Sequence, residues 1–316
     1  MKLEDIKKIG VVGAGTMGYG IAINFALWGY PTIMSDLSDE ILEQAMKKTK
    51  STLALFVEEE LITSEWADNS MGRITTTTDL AKVATNSDFI TEAILERAED
   101  KRELFNQLDK LCPPHTIIVS NTSSLTLSEF ASEVKRQDKI AITHYFVPPH
   151  IVPGVEVARG TGTSEETFNI TYELLKRVRK IPVRVLKELP GCLLNRIQNA
   201  IRREAYRLWA DGVATAEDID LGVRTTFGFR MPHEGPMLHH DLSGVWRWSK
   251  DVRIALLTRQ LGDDSRLSDE VTEKIKERLV EGKPWIIDPE RFDEIREDMD
   301  RKYIQCLKQW YWSKER

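Results

Sequence analysis

Short apolar runs alternate with amphipathic helical patterns from the N-terminus to Val185. Each run is bounded by polar or turn-forming residues, which is typical of buried strands. The predicted strands are Ile6–Val12, Pro31–Ser35, Asp88–Thr91, Thr116–Val119, Ile140–Thr143 and Val183–Val185. Helical patterns between them lie at about 39–60, 97–111 and 127–135. This alternation predicts an α/β fold, with a doubly wound parallel sheet of the Rossmann type.

The pattern changes at about 184–190, where the polar connector Lys187–Gly191 follows the last predicted strand. Beyond the connector, apolar residues recur at helical spacing and the strand pattern does not return. The clearest helical series is Leu193, Leu194, Ile197, Ile201 and Leu208. We therefore predict two domains, a Rossmann domain at 1–187 and an all-helical C-terminal domain at 188–316.

The glycines after the first predicted strand form a dinucleotide-binding fingerprint. Gly13, Gly15 and Gly18 stand in G-x-G-x-x-G spacing between that strand and an apolar helical pattern. The first glycine allows a tight turn, the second lets the backbone approach a pyrophosphate, and the third lets the helix pack closely on the sheet. The helix N-terminus offers free N–H groups to the phosphates. We predict a cofactor site here that includes the intervening Thr16 and Met17.

The acid at the end of the second strand favours NAD as the cofactor. Asp36 follows Gly18 by 18 positions (36 minus 18), close to the roughly 20 expected for the ribose-binding acid. A carboxylate there accepts hydrogen bonds from ribose hydroxyls and repels a 2′-phosphate. Leu37 and Ser38 follow, without an arginine to accept that phosphate. FAD remains the alternative, because its enzymes use a similar N-terminal fingerprint.

Polar residues follow three later strands at the point where each strand ends. They are Glu92 to Glu96, Ser120 to Ser123, and His144. Ligands of doubly wound sheets lie outside the carboxyl ends of the strands. We therefore expect all three groups on the cofactor side of the sheet.

Composition and charge exclude several classes of partner. The chain has 316 residues, 41% of them hydrophobic and 30% charged, with a formal net charge of -6. An acidic protein lacks the electrostatic footprint of a nucleic-acid or anionic-membrane binder. No apolar run reaches the roughly 18 residues of a membrane helix. Three sparse cysteines, Cys112, Cys192 and Cys306, indicate reduced thiols, so we expect a cytoplasmic protein. We expect its partner to be a small-molecule substrate.

Five ordered motifs resemble the 3-hydroxyacyl-CoA dehydrogenase family along nearly the whole chain. They are GAGTMG, TEAILERAEDKRELF, SNTSSL, the H-x-F-x-P…VEV stretch from His144 to Val157, and PGCLLNR. The resemblance implies an NAD-dependent oxidoreductase of fatty acid metabolism that interconverts 3-hydroxyacyl-CoA and 3-ketoacyl-CoA. It also implies that the helical domain contributes to substrate binding and forms a homodimer contact. Six of the eight tryptophans lie beyond residue 200, which suits an interface or a core equally.

The resemblance also implies the catalytic residues. His144 corresponds to the catalytic base, and Glu156 to the carboxylate that holds its ring in one tautomer. Ser123 and Asn195 correspond to the residues that hydrogen-bond the substrate oxygen. The chemistry agrees, since histidine titrates near neutral pH and can take and return the alcohol proton. The alternative is a solvated loop in which the two polar residues are incidental.

Three further residues complete the predicted cofactor site. The resemblance places Glu96 and Lys101 along the nicotinamide half of the cofactor, and Asn121 joins the cofactor-binding set. His150 lies mid-loop and has no assigned role beyond a possible substrate contact.

Two groups with metal-binding residue types do not have the spacing of a metal site. Adjacent ligands such as His239-His240-Asp241 rarely converge on one ion, and no second Cys/His pair flanks them. Cys112 and His115 form a single pair with prolines between them. We predict no metal site.

The chain departs from the family pattern in places that affect the substrate. Glu58, Glu59 and Glu60 occupy a segment that in the family bears lysine and meets the CoA phosphates. Lysines at 47, 48 and 50 are an alternative source of positive charge. Val147 stands where the family usually has asparagine, which puts the fine geometry of the His144 loop in doubt.

A second resemblance concerns relatives that use free hydroxy acids. The FG-x-R run near 227–230 and the C-terminal helix pattern resemble the lambda-crystallin-like gulonate dehydrogenase and the carnitine dehydrogenases. Arg224 or Arg230 would then pair with a substrate carboxylate, although a structural salt bridge is an equal alternative. The predicted activity is thus NAD-dependent oxidation of a hydroxyl beta to a carbonyl or carboxyl group. The alternatives are a CoA-free hydroxy acid dehydrogenase and a non-catalytic NAD-binding protein of the crystallin kind.

Overall fold

The computed structural model describes residues 1–253, 273–275, 277 and 280–310. The chain divides into two compact units, Met1–Arg202 and Arg203–Arg316. The predicted domain boundary after Lys187 stays a prediction, since a long helix runs through the division between the two units. No helix in the described ranges combines the length and the apolar character that crossing a bilayer requires.

The first unit is built on one eight-stranded sheet. Its strands are β1 Ile9–Val12, β2 Thr32–Ser35, β3 Ile74–Thr77, β4 Phe89–Glu92, β5 Ile117–Ser120, β6 Ile140–Tyr145, β7 Gly154–Ala158 and β8 Ile181–Val185. The spatial order is β3-β2-β1-β4-β5-β6-β7-β8, with all neighbours parallel except β6 and β7. The predicted Rossmann sheet is therefore confirmed, but it is mixed rather than wholly parallel, because β7 and β8 run against the other strands.

Helices cover both faces of this sheet and make up the described part of the second unit. They are α1 Gly18–Leu27, α2 Asp39–Glu58, α3 Ser64–Met71, α4 Leu80–Asn86, α5 Ala98–Leu111, α6 Leu127–Phe130, α7 Glu165–Arg177, α8 Leu193–Ala210, α9 Ala216–Thr225, α10 Phe227–Arg230, α11 Pro236–Leu242 and α12 Phe292–Trp310. The helix predicted at 127–135 is wrong in length. Beyond Phe130 the backbone N–H groups of Lys135 and Arg136 bond to the Asp109 carboxylate instead of continuing a helix.

The core lies on both sides of the central strands, which are buried on both faces. One apolar cluster packs α1, α2 and α7 on one face, and a second packs α4, α5 and α6 on the other. Helix α1 is buried along nearly all its length, because its sequence GYGIAINFAL carries no charge. This packing holds the N-terminus of α1 at the carboxyl edge of β1, beside the ends of β4, β5 and β6.

Candidate active site

The three fingerprint glycines meet three different steric demands. Gly13 has a φ of 99°, and a methyl group added there would lie 2.5 Å from the Ala93 carbonyl oxygen. A methyl group on Gly18 would lie 1.7 Å from the carbonyl oxygen of Gly13. Gly15 is exposed, and its added methyl group would meet no atom within 4 Å. The loop therefore leaves open space at Gly15, where a pyrophosphate can approach the backbone.

Asp36 ties the end of β2 to the glycine loop. Its Oδ2 accepts a hydrogen bond from the Ala14 backbone N–H at 2.6 Å, and its Oδ1 accepts one from the Leu37 N–H at 2.7 Å. The carboxylate remains partly exposed at the carboxyl edge of the sheet. This is the position from which an acid reaches the ribose hydroxyls of a dinucleotide.

His144 and Glu156 are directly opposite each other on the antiparallel strands β6 and β7. Nδ1 of His144 lies 2.5 Å from Oε2 of Glu156, and the two residues are only 4% and 1% exposed. His144 was expected to follow its strand, but β6 continues to Tyr145 and includes it. Strand pairing therefore sets the distance between the His144 ring and the Glu156 carboxylate.

The second oxygen of the same carboxylate reaches the next element of the site. Oε1 of Glu156 accepts a hydrogen bond from the Leu194 backbone N–H at 2.7 Å, at the start of α8. Free N–H groups of a first helical turn favour such an acid. One residue further along, Nδ2 of Asn195 donates to the Ser123 carbonyl oxygen at 3.1 Å. Ser123 and Asn195, predicted as substrate-binding residues, are thus brought together with His144 and Glu156.

Glu96 organises the loop that follows β5. Its Oε1 accepts hydrogen bonds from the Thr122 hydroxyl at 2.6 Å and from the backbone N–H groups of Ser123 and Ser124 at 2.9 and 2.8 Å. Burial alone would raise the pKa of Glu96, but the Thr122 hydroxyl, the Lys101 charge and the Ser124 N–H together lower that pKa to about 2. Glu96 is therefore a carboxylate throughout the physiological range of pH.

Lys101 and Asn121 lie behind the open edge of the site. The Lys101 ammonium is buried between Glu92 at 2.6 Å and Glu96 at 3.3 Å. Of the predicted pair along the nicotinamide half, only Glu96 reaches the surface, because the side chain of Lys101 is 1% exposed. Oδ1 of Asn121 accepts a hydrogen bond from the Tyr145 N–H at 2.9 Å, so this side chain joins the ends of β5 and β6.

Sequence reasoning assigned no role to two buried residues beside His144 and Glu156. Lys180 donates to the carbonyl oxygens of Pro149 and Val152, which lie in the turn between β6 and β7. Cys192 lies close to His144 and Glu156. A ring nitrogen of His144, a carboxylate oxygen of Glu156 and Sγ of Cys192 all lie within 4.8 Å of one another. Burial, together with nearby carboxylates, raises the pKa of the Cys192 thiol to about 12. Lys180 carried no sequence signal, and Cys192 lay in the PGCLLNR motif but was interpreted only as a reduced thiol.

The other histidines have local partners. His150 lies between the rings of Tyr19 and Phe56, at 5.5 and 6.0 Å, and burial together with Lys180 lowers its pKa. Nε2 of His115 is 3.1 Å from Oδ1 of Asp88. The Asp88 contact accounts for His115, whereas Nδ1 of His150 is buried and has no hydrogen-bond partner among the described residues.

The arginines predicted for a substrate carboxylate lie in the second unit. Nε of Arg230 is 3.5 Å from Oε1 of Glu234, and the same buried carboxylate lies 2.8 Å from Nδ1 of His239. Asp241, the last residue of the His-His-Asp run, is buried and accepts backbone N–H bonds from 285–287. Arg224 is exposed in the last turn of α9. Arg230 therefore has a carboxylate of its own, and the substrate role of either arginine stays a prediction.

Comparison with known proteins identifies the family. The family model described as 3-hydroxyacyl-CoA dehydrogenase, NAD binding domain, matches residues 8–189, and that of the C-terminal domain matches 191–283. The human mitochondrial hydroxyacyl-coenzyme A dehydrogenase is 36% identical over 245 residues, 76% of this chain and 77% of the relative. A 3-hydroxybutyryl-CoA dehydrogenase of Clostridioides difficile is 34% identical over 250 residues, covering 79% and 85%.

A solved structure matches almost the whole chain at lower identity. It is 5-formyl-3-hydroxy-2-methylpyridine 4-carboxylic acid 5-dehydrogenase, described as an NAD+-dependent dismutase, with a TM-score of 0.72 and 25% identity. The match covers 96% of this chain and 98% of that one. Together with the glycine loop and the strand-paired His144 and Glu156, these matches show that the chain belongs to the 3-hydroxyacyl-CoA dehydrogenase family, as an NAD-dependent dehydrogenase that acts on CH–OH groups.

Proposed function

We propose that His144 is the general base for oxidation of a secondary alcohol beta to a carbonyl or carboxyl group. The observation that carries the proposal is the 2.5 Å contact between Nδ1 of His144 and Glu156. A carboxylate only accepts hydrogen bonds, so Nδ1 must carry the proton and Nε2 keeps a free lone pair. Nε2 then takes the alcohol proton, and the Glu156 charge stabilises the imidazolium that forms.

The oxygen of the substrate would be held by Ser123 and Asn195. Glu96 fixes the backbone of the Ser123 loop, and Glu156 fixes the start of the helix that bears Asn195. The base and the oxygen-binding groups therefore share one rigid frame, which favours reaction by pre-organisation.

The open glycine loop fits a bound NAD molecule. Gly13, Gly15 and Gly18, with Thr16 and Met17, would hold the pyrophosphate at the N-terminus of α1. The remaining proposed contacts come from Asp36, Glu96 and Asn121, with Lys101 acting through Glu96. Bound NAD supplies the hydride acceptor for the oxidation and, as NADH, the hydride donor for the reverse reaction.

The first candidate substrate is a 3-hydroxyacyl-CoA, as the names of the relatives suggest. Phe56 packs against His150 near the site, and the exposed Glu58 to Glu60 follow within one helical turn. Each close contact between these carboxylates and a phosphate would cost on the order of 1–4 kcal/mol. Lys48 lies 5.9 Å from the centre of the Tyr19 ring and offers an opposing charge.

The second candidate substrate is a free hydroxy acid. It is favoured by the acidic residues and by the near-complete structural match to a dehydrogenase whose name specifies a carboxylic acid. Initial rates of NADH consumption with acetoacetyl-CoA and with free 3-oxo acids separate the two candidates. Turnover of the thioester supports the first, and turnover of free acids alone supports the second.

A histidine exchange tests the proposed chemistry against the alternative of a non-catalytic NAD-binding protein of the crystallin kind. His144→Ala is expected to lose turnover while NADH binding, measured by fluorescence, is retained. The matched control is His115→Ala, because His115 is half exposed and pairs with Asp88. Full activity of the His144 variant, or equal loss in both variants, would contradict the assignment of the base.

We also propose a cytoplasmic homodimer that acts in fatty acid metabolism. Helix α8 has no buried residue in the isolated chain, and its exposed apolar side chains include Ile197, Ile201, Tyr206 and Trp209. Exposed apolar and aromatic side chains at this density are typical of a subunit contact. All three cysteines are free and buried, which agrees with a reducing compartment. Sedimentation of the wild type and of Ile201→Glu tests the dimer, and cell fractionation tests the location.

A further inference from the structure

One face of α8 carries polar residues that begin at the active site and continue along the helix. Asn195, Asn199 and Arg202 stand at i, i+4 and i+7, which places their Cβ atoms within about 60° of one another around the axis. Asn195 sets the direction of this face, because its Nδ2 donates to the Ser123 carbonyl oxygen. Arg202 therefore lies on the same side of the helix as the proposed oxygen-binding amide.

Two exposed apolar residues of α8, Ile197 and Ile201, point the other way. Ile197 and Ile201 are two and six positions beyond Asn195, which places them roughly 160° and 120° away around the helix axis. Asn195, Asn199 and Arg202 therefore lie on the other side of the helix from Ile197 and Ile201, two of the exposed apolar residues that we assign to the dimer contact.

Arg202 has a guanidinium with room for an anion. Its Nη1 donates to Oδ1 of Asn199 at 3.3 Å, and the side chain is exposed. No carboxylate in the described ranges forms an ion pair with it, whereas Arg207, on the same helix, pairs with Asp211 at 3.6 Å. A guanidinium that donates one hydrogen bond to a neutral amide still has N–H donors available for a planar, bidentate acceptor.

The reach of Arg202 suits a short substrate. Seven residues of α-helix separate it from Asn195, a rise of about 10 Å. Helical side chains lean toward the N-terminus, and the Arg202–Asn199 hydrogen bond shows this direction. The guanidinium therefore lies about one helical turn, roughly 5–6 Å, beyond the level of Asn195. A carboxylate a few carbons from the reacting hydroxyl spans that interval.

We propose that Arg202, oriented by Asn199, binds a free carboxylate of the substrate. The substrate class is then a hydroxy acid with an ionised carboxylate a few carbons from its secondary alcohol. This deepens the proposed function and rests on it in one respect, the placement of the reacting oxygen at Ser123 and Asn195. An anion is also present in the phosphates of CoA, so the test must distinguish these two sources.

Kinetics with paired substrates provide the first test. NADH consumption would be measured with 3-oxoadipate, its dimethyl ester and acetoacetyl-CoA. Arg202→Met is expected to raise KM for the diacid about 10- to 100-fold, the range for loss of a charged hydrogen bond, with kcat little changed. The ester should respond little to the exchange. Arg203→Met is the matched control, because Arg203 is also exposed but lies about 100° around the helix.

Three kinetic outcomes would overturn the assignment. Equal losses with diacid and ester would show that Arg202 does not recognise the carboxylate. A loss confined to acetoacetyl-CoA would show that it holds a CoA phosphate instead. Equal effects of the Arg202 and Arg203 exchanges would show only a general effect of surface charge.

An equilibrium measurement separates this assignment from the proposed reaction. Calorimetry of adipate binding to the NADH-loaded protein requires no turnover. The wild type and His144→Ala are expected to bind adipate alike, and Arg202→Met at least 10-fold more weakly. If this binding pattern is found but no oxo compound is turned over, the proposed reaction is refuted and the carboxylate site is supported. Equal adipate binding by the wild type and Arg202→Met would refute the site even where turnover is found.

Discussion

Lys180 provides a quantitative test of how the β6–β7 turn is held. The residue is 6% exposed, and its Nζ donates to the carbonyl oxygens of Pro149 at 2.6 Å and Val152 at 2.8 Å. No carboxylate in the described part of the chain forms an ion pair with it. Burial of this uncompensated ammonium lowers the pKa of Lys180 from 10.5 to about 8. The turn is therefore held by a cation whose charge is disfavoured in the folded state.

The direction of the pH effect follows from the two pKa values. The folded protein releases the Lys180 proton near pH 8 and the unfolded chain near 10.5, so the unfolded chain binds more protons between them. Stability must then rise with pH across that window. The full difference between the two pKa values (10.5 minus 8) corresponds to about 3 kcal/mol. Between about pH 7.5 and about pH 10, the gain is about 2 kcal/mol.

The exchange Lys180→Met removes the titrating group and retains most of the apolar stem. Relative to this variant, the wild-type free energy of unfolding is expected to rise by about 2 kcal/mol over the same interval. Urea unfolding followed by the fluorescence of Trp28 and Trp66, which lie in the same unit, measures this difference. Lys176→Met is the control, because the Lys176 side chain is 52% exposed. Parallel pH dependence in wild type and Lys180→Met would refute the reasoning.

Four other exchanges test the frame of the site. Gly15→Ala should fold normally and bind NADH more weakly. Gly18→Ala should lower Tm, because its Cβ would lie 1.7 Å from a carbonyl oxygen. A similar loss of Tm in both variants would contradict this difference between the two glycines. Glu96→Gln should lower kcat about 10-fold or more between about pH 5 and 9, without shifting the acid limb of the profile, because its pKa is about 2. Glu156→Gln should lower kcat about 10²- to 10⁴-fold by favouring the wrong histidine tautomer, and retention of wild-type rates would exclude that role.

The glycine loop could be predicted because its requirements are local. Close approaches at Gly13 and Gly18 and open space at Gly15 are properties of one strand-turn-helix segment. Asp36 could be predicted from its distance along the chain from Gly18. Strand β3 was missed, since its sequence ITTT is not apolar and its position at the edge of the sheet exposes two of the threonines. Its pairing with β2 is tertiary information that hydrophobic periodicity does not contain.

The contacts that complete the site depend on elements distant in sequence. The resemblance paired His144 with Glu156, but their opposite positions depend on the register of β6 and β7. The burial of Lys180 depends on the turn that its side chain supports. Arg230 at the end of α10 and Glu234 beyond it form a salt bridge across the intervening turn. The sequence left a structural salt bridge and a substrate contact as equal alternatives for Arg230.

Glu156 makes the orientation of the base and the position of α8 parts of one structure. One carboxylate oxygen holds the His144 ring, and the other holds the Leu194 N–H at the start of the helix that carries Asn195 and Arg202. A movement of that helix therefore displaces both the proposed oxygen-binding amide and the partner of the base. The proposed substrate recognition along α8 would thus be coupled to the proposed proton transfer at His144 through a single buried residue.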